Sequence, residues 1–383
     1  MNSQRKQIID LFAGVGGLSL GAVRAGFHLA LAVELDKHAM AAHELNFPGF
    51  AHWRGDISNL TGEQILSRAG LAKGDLHGLV GGPPCQGFSA IGQRNVADPR
   101  NHLFTKFFQL VAECEPRFFV AENVPGILDE QYDDVRRTAF GCVKGKYTIL
   151  EPLNLIASDF GAATNRERVF FIGYRSDVAG TLSARDFESN RVDTITTVAD
   201  SLFGLPRIRS DWLTEQQSWR RIKPLSNSPI WTKMSDDIPD GVGNAEAIRR
   251  YKEEKIISGC FGTRHTSEVS ARYARLKPGK RDGISKAVRL KLNGFCPTLR
   301  AGTGSDKGSY QAVRPIHPTS PRVITPREAA RLQGFPDWFQ FSPTKWHSFR
   351  QIGNSVSPIL AEHIFTIIRN ALSTERQEET VWA

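Results

Sequence analysis

The sequence predicts an α/β fold: a mostly parallel sheet with helices on both faces, joined to a smaller, loop-rich second domain. Three observations carry that reading. Short apolar runs alternate with helix-like stretches over residues 1–175, which is the signature of repeated strand–helix–strand units. From about residue 176 to 320 turn formers multiply, as in Lys277-Pro278-Gly279 and Ala301-Gly302-Thr303-Gly304, and apolar periodicity fades. Residues 322–383 then become helical again. The expected division is a first domain over 1–190, a second over 191–345, and a segment, 346–383, returning to the first.

The elements follow in order. Gln7–Leu11, Leu29–Glu34, Leu76–Val80, Phe118–Ala121 and Val169–Tyr174 are short apolar runs, as expected of strands buried on both faces. Leu18–Ala25, Lys37–Leu45, Gly62–Ala69 and His102–Cys114 read as the helices between them. Pro326–Gln333 and Ile359–Leu372 are the clearest helices of the C-terminal part. Ligands of such sheets bind at the carboxyl ends of the strands, so the chemistry is sought there.

Composition narrows the class. The chain is 40% hydrophobic and 23% charged over 383 residues, as in a globular protein rather than a disordered one. No run of 18 apolar residues occurs, and Met1–Lys6 is polar, so neither a membrane span nor a signal peptide is expected. The cytoplasm is the expected location. Five cysteines without a CxxC pair, and ten scattered histidines, give no disulfide framework and no metal site. The net charge of +9 is unevenly spread: residues 206–314 hold 22 Lys and Arg against 11 Asp and Glu, and the remainder 27 against 29. A localised basic block suits a polyanion binder, although a solvated surface also produces one.

The first strand runs into Asp10-Leu11-Phe12-Ala13-Gly14-Val15-Gly16-Gly17-Leu18. Glycines in such a turn let the backbone approach a ligand at a helix N-terminus. Glu34 follows 20 residues after Gly14, where a carboxylate can accept from ribose hydroxyls. Asp56, in Gly55-Asp56-Ile57, is placed to receive an adenine amino group. These residues point to a nucleoside-containing cofactor; a nicotinamide dehydrogenase or a bare structural turn would use the same pattern.

The fourth strand ends in Gly81-Gly82-Pro83-Pro84-Cys85-Gln86-Gly87-Phe88-Ser89. A cysteine just past a strand end, in a Pro- and Gly-containing loop at the ligand edge, suits an activated thiolate; the bland alternative is an inert buried thiol. The fifth strand brings Glu122-Asn123-Val124 to the same edge. Arg166-Glu167-Arg168 precede the next strand and add two guanidinium groups.

Taken together, DLFAGVGG at 10–17, GGPPCQGFS at 81–89, ENV at 122–124, RERVFFIG at 166–173, TPREAARLQGFP at 325–336 and GNSV at 353–356 resemble, in order, the motifs of the DNA cytosine-5 methyltransferase family. The likeness covers nearly the whole chain. It implies a class I S-adenosylmethionine-dependent methyltransferase fold, Rossmann-like, with a target-recognition domain. It implies the activity of a sequence-specific DNA (cytosine-5-)-methyltransferase of restriction–modification type, acting on a flipped-out base.

Carried over residue by residue, the resemblance makes Cys85 the nucleophile at cytosine C6, Glu122 the group at N3, Arg168 the guanidinium near the base carbonyl, and Arg166 a phosphate contact. Phe12, Ala13, Gly14, Gly16, Gly17 and Leu18 would frame S-adenosylmethionine, with Glu34 and Leu35 at its ribose and Asp56 and Ile57 at its adenine. Pro83, Leu103, Asn354, Ser355 and Val356 would close that pocket. Gln86, Ser89, Thr298 and Arg331 would meet DNA, Arg331 also bracing the recognition region, and the loop Gln86–Asp98 would close over the duplex. No metal is implied. The expected partners are double-stranded DNA and a cognate restriction endonuclease, with the chain acting as a monomer. One departure stands out: Thr164 occupies the place where the family usually has Gln. An RNA cytosine methyltransferase on the same scaffold is the nearest rival, and the basic segment favours duplex DNA over it.

Overall fold

The computed structural model describes residues 5–84, 102–175, 177, 182–189, 191–192, 195–208, 218–223, 234–301 and 314–379. Five strands run parallel in the spatial order β3-β2-β1-β4-β5. They are β1 (Gln7–Leu11), β2 (His28–Glu34), β3 (His52–Arg54), β4 (Gly78–Gly81) and β5 (Phe118–Asn123). Next in the chain come β6 (Tyr147–Ile149), β7 (Leu153–Ile156), β8 (Thr164–Asn165) and β9 (Glu167–Arg175). β9 pairs antiparallel with β5, and β6 and β7 both pair antiparallel with β9. The fold is therefore a mixed sheet dominated by parallel strands, as the alternation of strands and helices predicts.

Period-2 alternation divides β1 between two cores. Ile9 and Leu11 join a cluster with α3 (Gly62–Ala69), α4 (His102–Cys114) and α5 (Asp133–Gly141), rich in packed phenylalanines such as Phe104, Phe108 and Phe171. Ile8 faces the other cluster. That side is covered by α1 (Gly17–Arg24), by α2 (Lys37–Asn46), and by elements from the far end of the chain.

The segment after β9 holds short elements, as its turn-rich composition predicts. They are α6 (Ala184–Glu188), α7 (Val198–Leu202), β10 (Arg220–Arg221), α8 (Ala245–Arg249), β11 (Ile256–Ile257), α9 (Ser267–Arg275) and β12 (Cys296–Pro297). The predicted domain boundary does not interrupt the apolar core. Ile208, Ile222, Tyr251, Leu290 and Leu299 belong to the same buried cluster as Ile8 and Leu18. Tyr273, Ala287, Ile316 and Val323 form a small separate core.

Three helices complete the chain: α10 (Pro326–Gln333), α11 (Lys345–Asn354) and α12 (Pro358–Glu379). α10 begins where sequence rules place it. The Thr325 hydroxyl accepts from Glu328 N–H, the Glu328 carboxylate accepts from Thr325 N–H at 2.7 Å, and Pro326 fills the first helical position. All eight of its residues are buried. Its charges are matched internally: Arg322 donates to Glu328 at 2.7 Å, and Arg327 donates to the carbonyls of Pro336 and Phe339. α12 lies along α1. A Cβ added at Gly21 would come within 2.3 Å of the Ala361 Cβ, so glycine is what lets the two helices approach. Arg24 Nε donates to Glu362 at 2.8 Å across the same contact. Among the described residues no helix is long and apolar enough to cross a membrane.

Candidate active site

The carboxyl ends of β1, β2, β4 and β5 converge on one edge, where the sequence places its motifs. β1 leads into a turn in which Phe12, Gly14 and Gly16 all have positive φ. For an aromatic residue such as Phe12 this conformation is strained, and strain of this kind gathers at ligand sites. A Cβ at Gly14 would meet nothing nearer than 4.0 Å, which leaves open space beside the turn. Ala13 and Leu18 are buried beneath it. Gly17 opens α1, and a Cβ there would lie 2.0 Å from Ser355 Oγ and 2.3 Å from Val356 O. The first and last motifs of the chain thus touch through a residue without a side chain. Gln333, fully buried, donates to Ser355 O at 2.8 Å and fixes that second wall. Asn354, one residue earlier, is exposed.

Glu34 closes the cradle at the end of β2. Its carboxylate accepts from Gly14 N–H at 2.9 Å and from Asp36 N–H at 2.7 Å. Burial pushes its pKa up, opposed by those two hydrogen bonds. Leu35 beside it is 58% exposed. Asp56 is exposed and caps the turn at Ile57 by accepting from Ser58 N–H, while Ile57 is buried. Leu103 lies half-buried in the first turn of α4.

At the nucleophile loop the description ends at Pro84. Cys85, Gln86, Ser89 and the loop Gln86–Asp98 lie outside the described residues. The strand ends that precede it are described. Gly81 pairs with Ala121, so β4 and β5 end side by side. A Cβ at Gly82 would sit 2.9 Å from Glu122 Oε2; the glycine makes room for that carboxylate. Asn123 Nδ2 donates to Pro83 O at 3.4 Å and ties the two strand ends together. The other Glu122 oxygen lies 2.6 Å from Arg168 Nε, with both side chains nearly buried.

Arg166 is placed differently from the expectation. It is 1% exposed and donates to Leu299 O at 3.2 Å, inside the protein rather than at its surface. It instead fastens the segment around Leu299 to the sheet. Its neighbours act alike: Thr164 donates to Cys296 O and Thr298 donates to Asn165 O, both at 3.1 Å, while β8 pairs with β12. Thr164, where the family usually has Gln, is thus fully buried in this zipper. Arg331 also departs from its expected DNA contact. Its side chain is 0% exposed, paired with Asp337 at 2.6 Å and bonded to the carbonyls of Ser201 and Phe203. It braces α7 against α10, in keeping with the bracing role expected of it, and its side chain is turned into the core.

Asp10 was missed by sequence reasoning, which read the glycines of its motif and not the acid. It is fully buried, accepts from Ser19 Oγ at 2.6 Å, and has its pKa pushed up to about 7 by burial, with Glu34 nearby adding to the effect. Ser19 Oγ in turn lies 3.0 Å from His43 Nε2, and His43 Nδ1 lies 2.9 Å from His52 Nε2. Burial keeps His43 neutral by holding its pKa well below the usual value. Among the described residues no group of three or more His, Cys, Asp or Glu could hold a metal ion.

A model of the C-5 cytosine-specific DNA methylase family matches residues 6–370. Type II methyltransferase M.XorII of Xanthomonas oryzae pv. oryzae is 39% identical over 368 residues, covering 95% of this chain and 84% of that protein. M.DdeI of Desulfomicrobium norvegicum is 33% identical, covering 93% and 86%. A prophage-encoded E. coli protein described as a DNA modification methyltransferase shares the structure with a TM-score of 0.85 at 49% identity, covering 96% and 99%. S. pombe Dnmt2, at 17% identity and a TM-score of 0.62, shares the fold and covers 96% of this chain and 99% of its own.

Proposed function

Because the chain belongs to the C-5 cytosine-specific DNA methylase family, we propose that it modifies duplex DNA sequence-specifically, through a covalent Cys85 adduct on a flipped-out cytosine. C5 of cytosine is a poor nucleophile while the ring is aromatic. Addition of the Cys85 thiolate to C6 forms an S–C6 bond and shifts electron density toward C5 and N3. Glu122 meets N3, where a hydrogen bond or proton stabilises that density. After C5 has gained its methyl group, a base removes the C5 proton. The C–H electrons restore the C5–C6 double bond, and Cys85 leaves as thiolate.

The cradle fits S-adenosylmethionine, which when bound supplies an electrophilic methyl group on a sulfonium centre. Each Glu34 oxygen already accepts one N–H, so the carboxylate is oriented while lone pairs remain for ribose hydroxyls. The open space beside Gly14 leaves room for the ligand. Phe12, Ala13, Gly16, Gly17 and Leu18 frame this space, with Asp56 and Ile57 at the adenine and Pro83, Ser355 and Val356 as walls.

The observation that most supports the reading is the meeting of Glu122 with Gly82, three residues before Cys85, with Arg168 against its other oxygen. The test is transfer of tritiated methyl from S-adenosylmethionine to duplex DNA, with transfer RNA as the comparison. Cys85→Ser is expected to lose transfer while keeping DNA binding, and a duplex carrying 5-fluorocytosine to trap the wild type covalently. Transfer by Cys85→Ser at near the wild-type rate would sink the mechanism; preferential labelling of RNA would sink the substrate.

A further inference from the structure

Three buried arginines around α10 are matched, whereas the half-buried Arg314 is not. Arg322 faces Glu328, Arg331 faces Asp337, and Arg327 is held by three carbonyls. Arg314 has no ion pair and no hydrogen bond among the described residues, and its Nε is buried without a partner. Its guanidinium carbon stacks 4.1 Å from the centre of the Phe349 ring. Desolvation alone acts on it, bringing its pKa down to about 10. A guanidinium stays charged at neutral pH and loses hydration on burial, so this one, without an acceptor among the described residues, favours an incoming anion.

Position says which anion. Phe349 lies on α11, one turn before Gly353. A Cβ at Gly353 would fall 2.6 Å from the Arg300 carbonyl carbon, so α11 ends against the segment that contains Thr298 and Leu299. That segment is zipped to Asn165 and Arg166 beside Arg168 and Glu122. Arg314 therefore belongs to the wall that runs to the catalytic carboxylate, and it closes the most basic stretch of the chain.

We infer that Arg314 anchors a backbone phosphate of the bound duplex, an inference that rests on the DNA-modifying function above. Phe349 holds the guanidinium plane, so the cation meets the phosphate with little loss of side-chain freedom. The contact carries no sequence information and fixes register.

The test measures duplex affinity over a series of salt concentrations for wild type, Arg314→Met and Arg314→Lys, on the methylated sequence and on a scrambled one. Arg314→Met is expected to flatten the plot of log affinity against log salt by about 0.9 unit, the loss of one phosphate contact, equally on both duplexes. Its melting temperature should match or exceed that of wild type, since a desolvated charge has been removed. Arg314→Lys should keep the slope. An unchanged slope in Arg314→Met together with a lowered melting temperature would show that the stack on Phe349 is packing alone. Weakening confined to one sequence would make Arg314 a base reader and overturn the phosphate role. A wild type without salt-dependent duplex affinity would instead overturn the proposed function itself.

Discussion

Asp10 stands at the end of β1 with one oxygen on the Ser19 hydroxyl and the other buried without a hydrogen bond among the described residues. Burial lifts its pKa from 3.8 to about 7. Between those values the folded protein holds a proton that the unfolded chain has released. Stability from this group is thus fully present below about pH 4 and falls as pH rises toward 7. The span corresponds to about 4 kcal/mol at 1.36 kcal/mol per pH unit. Asp10→Asn removes the titration while keeping an acceptor for Ser19. In urea denaturation without cofactor, the variant should gain on wild type as pH rises from 4 to 8; parallel curves would assign Asp10 an ordinary pKa. Such an acid leaves no trace in composition, because its proton is set by neighbours from β2 and α1 that the fold supplies.

At the scale of elements, α10 shows what the sequence reveals and what it conceals. Thr325, Pro326 and Glu328 announce its start, since cap chemistry is local. Its complete burial is concealed, because Arg327, Glu328 and Arg331 read as a solvated face until Ser258, Pro336, Asp337 and Arg322 appear as their partners. Removing one member of a buried pair leaves the other charge uncompensated. Arg331→Met should cost about 3–5 kcal/mol by chemical denaturation, whereas replacing Arg331 and Asp337 together by apolar residues should cost much less. Equal costs for the single and double variants would mean that Asp337 gains nothing from Arg331. The same contrast runs through the sheet. β1, β2, β4, β5 and β9 were legible as apolar runs because both faces are covered; β3 and β6, three residues each, and β7, of four, carry too little pattern. α11, with Lys345, His347 and Arg350 among its aromatics, offers no clear stripe and was not expected. Of the site, the strand-end motifs were legible because strand ends must converge. The bracing role of Arg166 was not, nor were the partners of Arg331, since they depend on carbonyls more than 120 residues away.

Across the whole molecule, charge and core divide differently. The positive excess lies within 206–314, yet the apolar core passes without a break from the sheet into that segment. Replacing 206–314 by the equivalent part of a family member with another target should move the methylated word, provided that core contacts such as Leu299 and Tyr251 are retained. Genome-wide mapping of 5-methylcytosine reads the outcome, and an unchanged word would place recognition in the strand-end loops. The joining of α1 to α12 has a consequence of timing. Arg24 and Glu362 are 338 positions apart, and the cradle wall at Ser355 and Val356 is just as far from Gly17. At roughly 5–20 residues per second, a ribosome needs on the order of 20–70 s to deliver the second partner after the first. For much of that interval the nascent chain carries Glu122 and the glycine turn without the wall that completes them. Synthesis itself is thus a delay line: a polypeptide interrupted before the GNSV turn lacks the wall against which Gly17 packs.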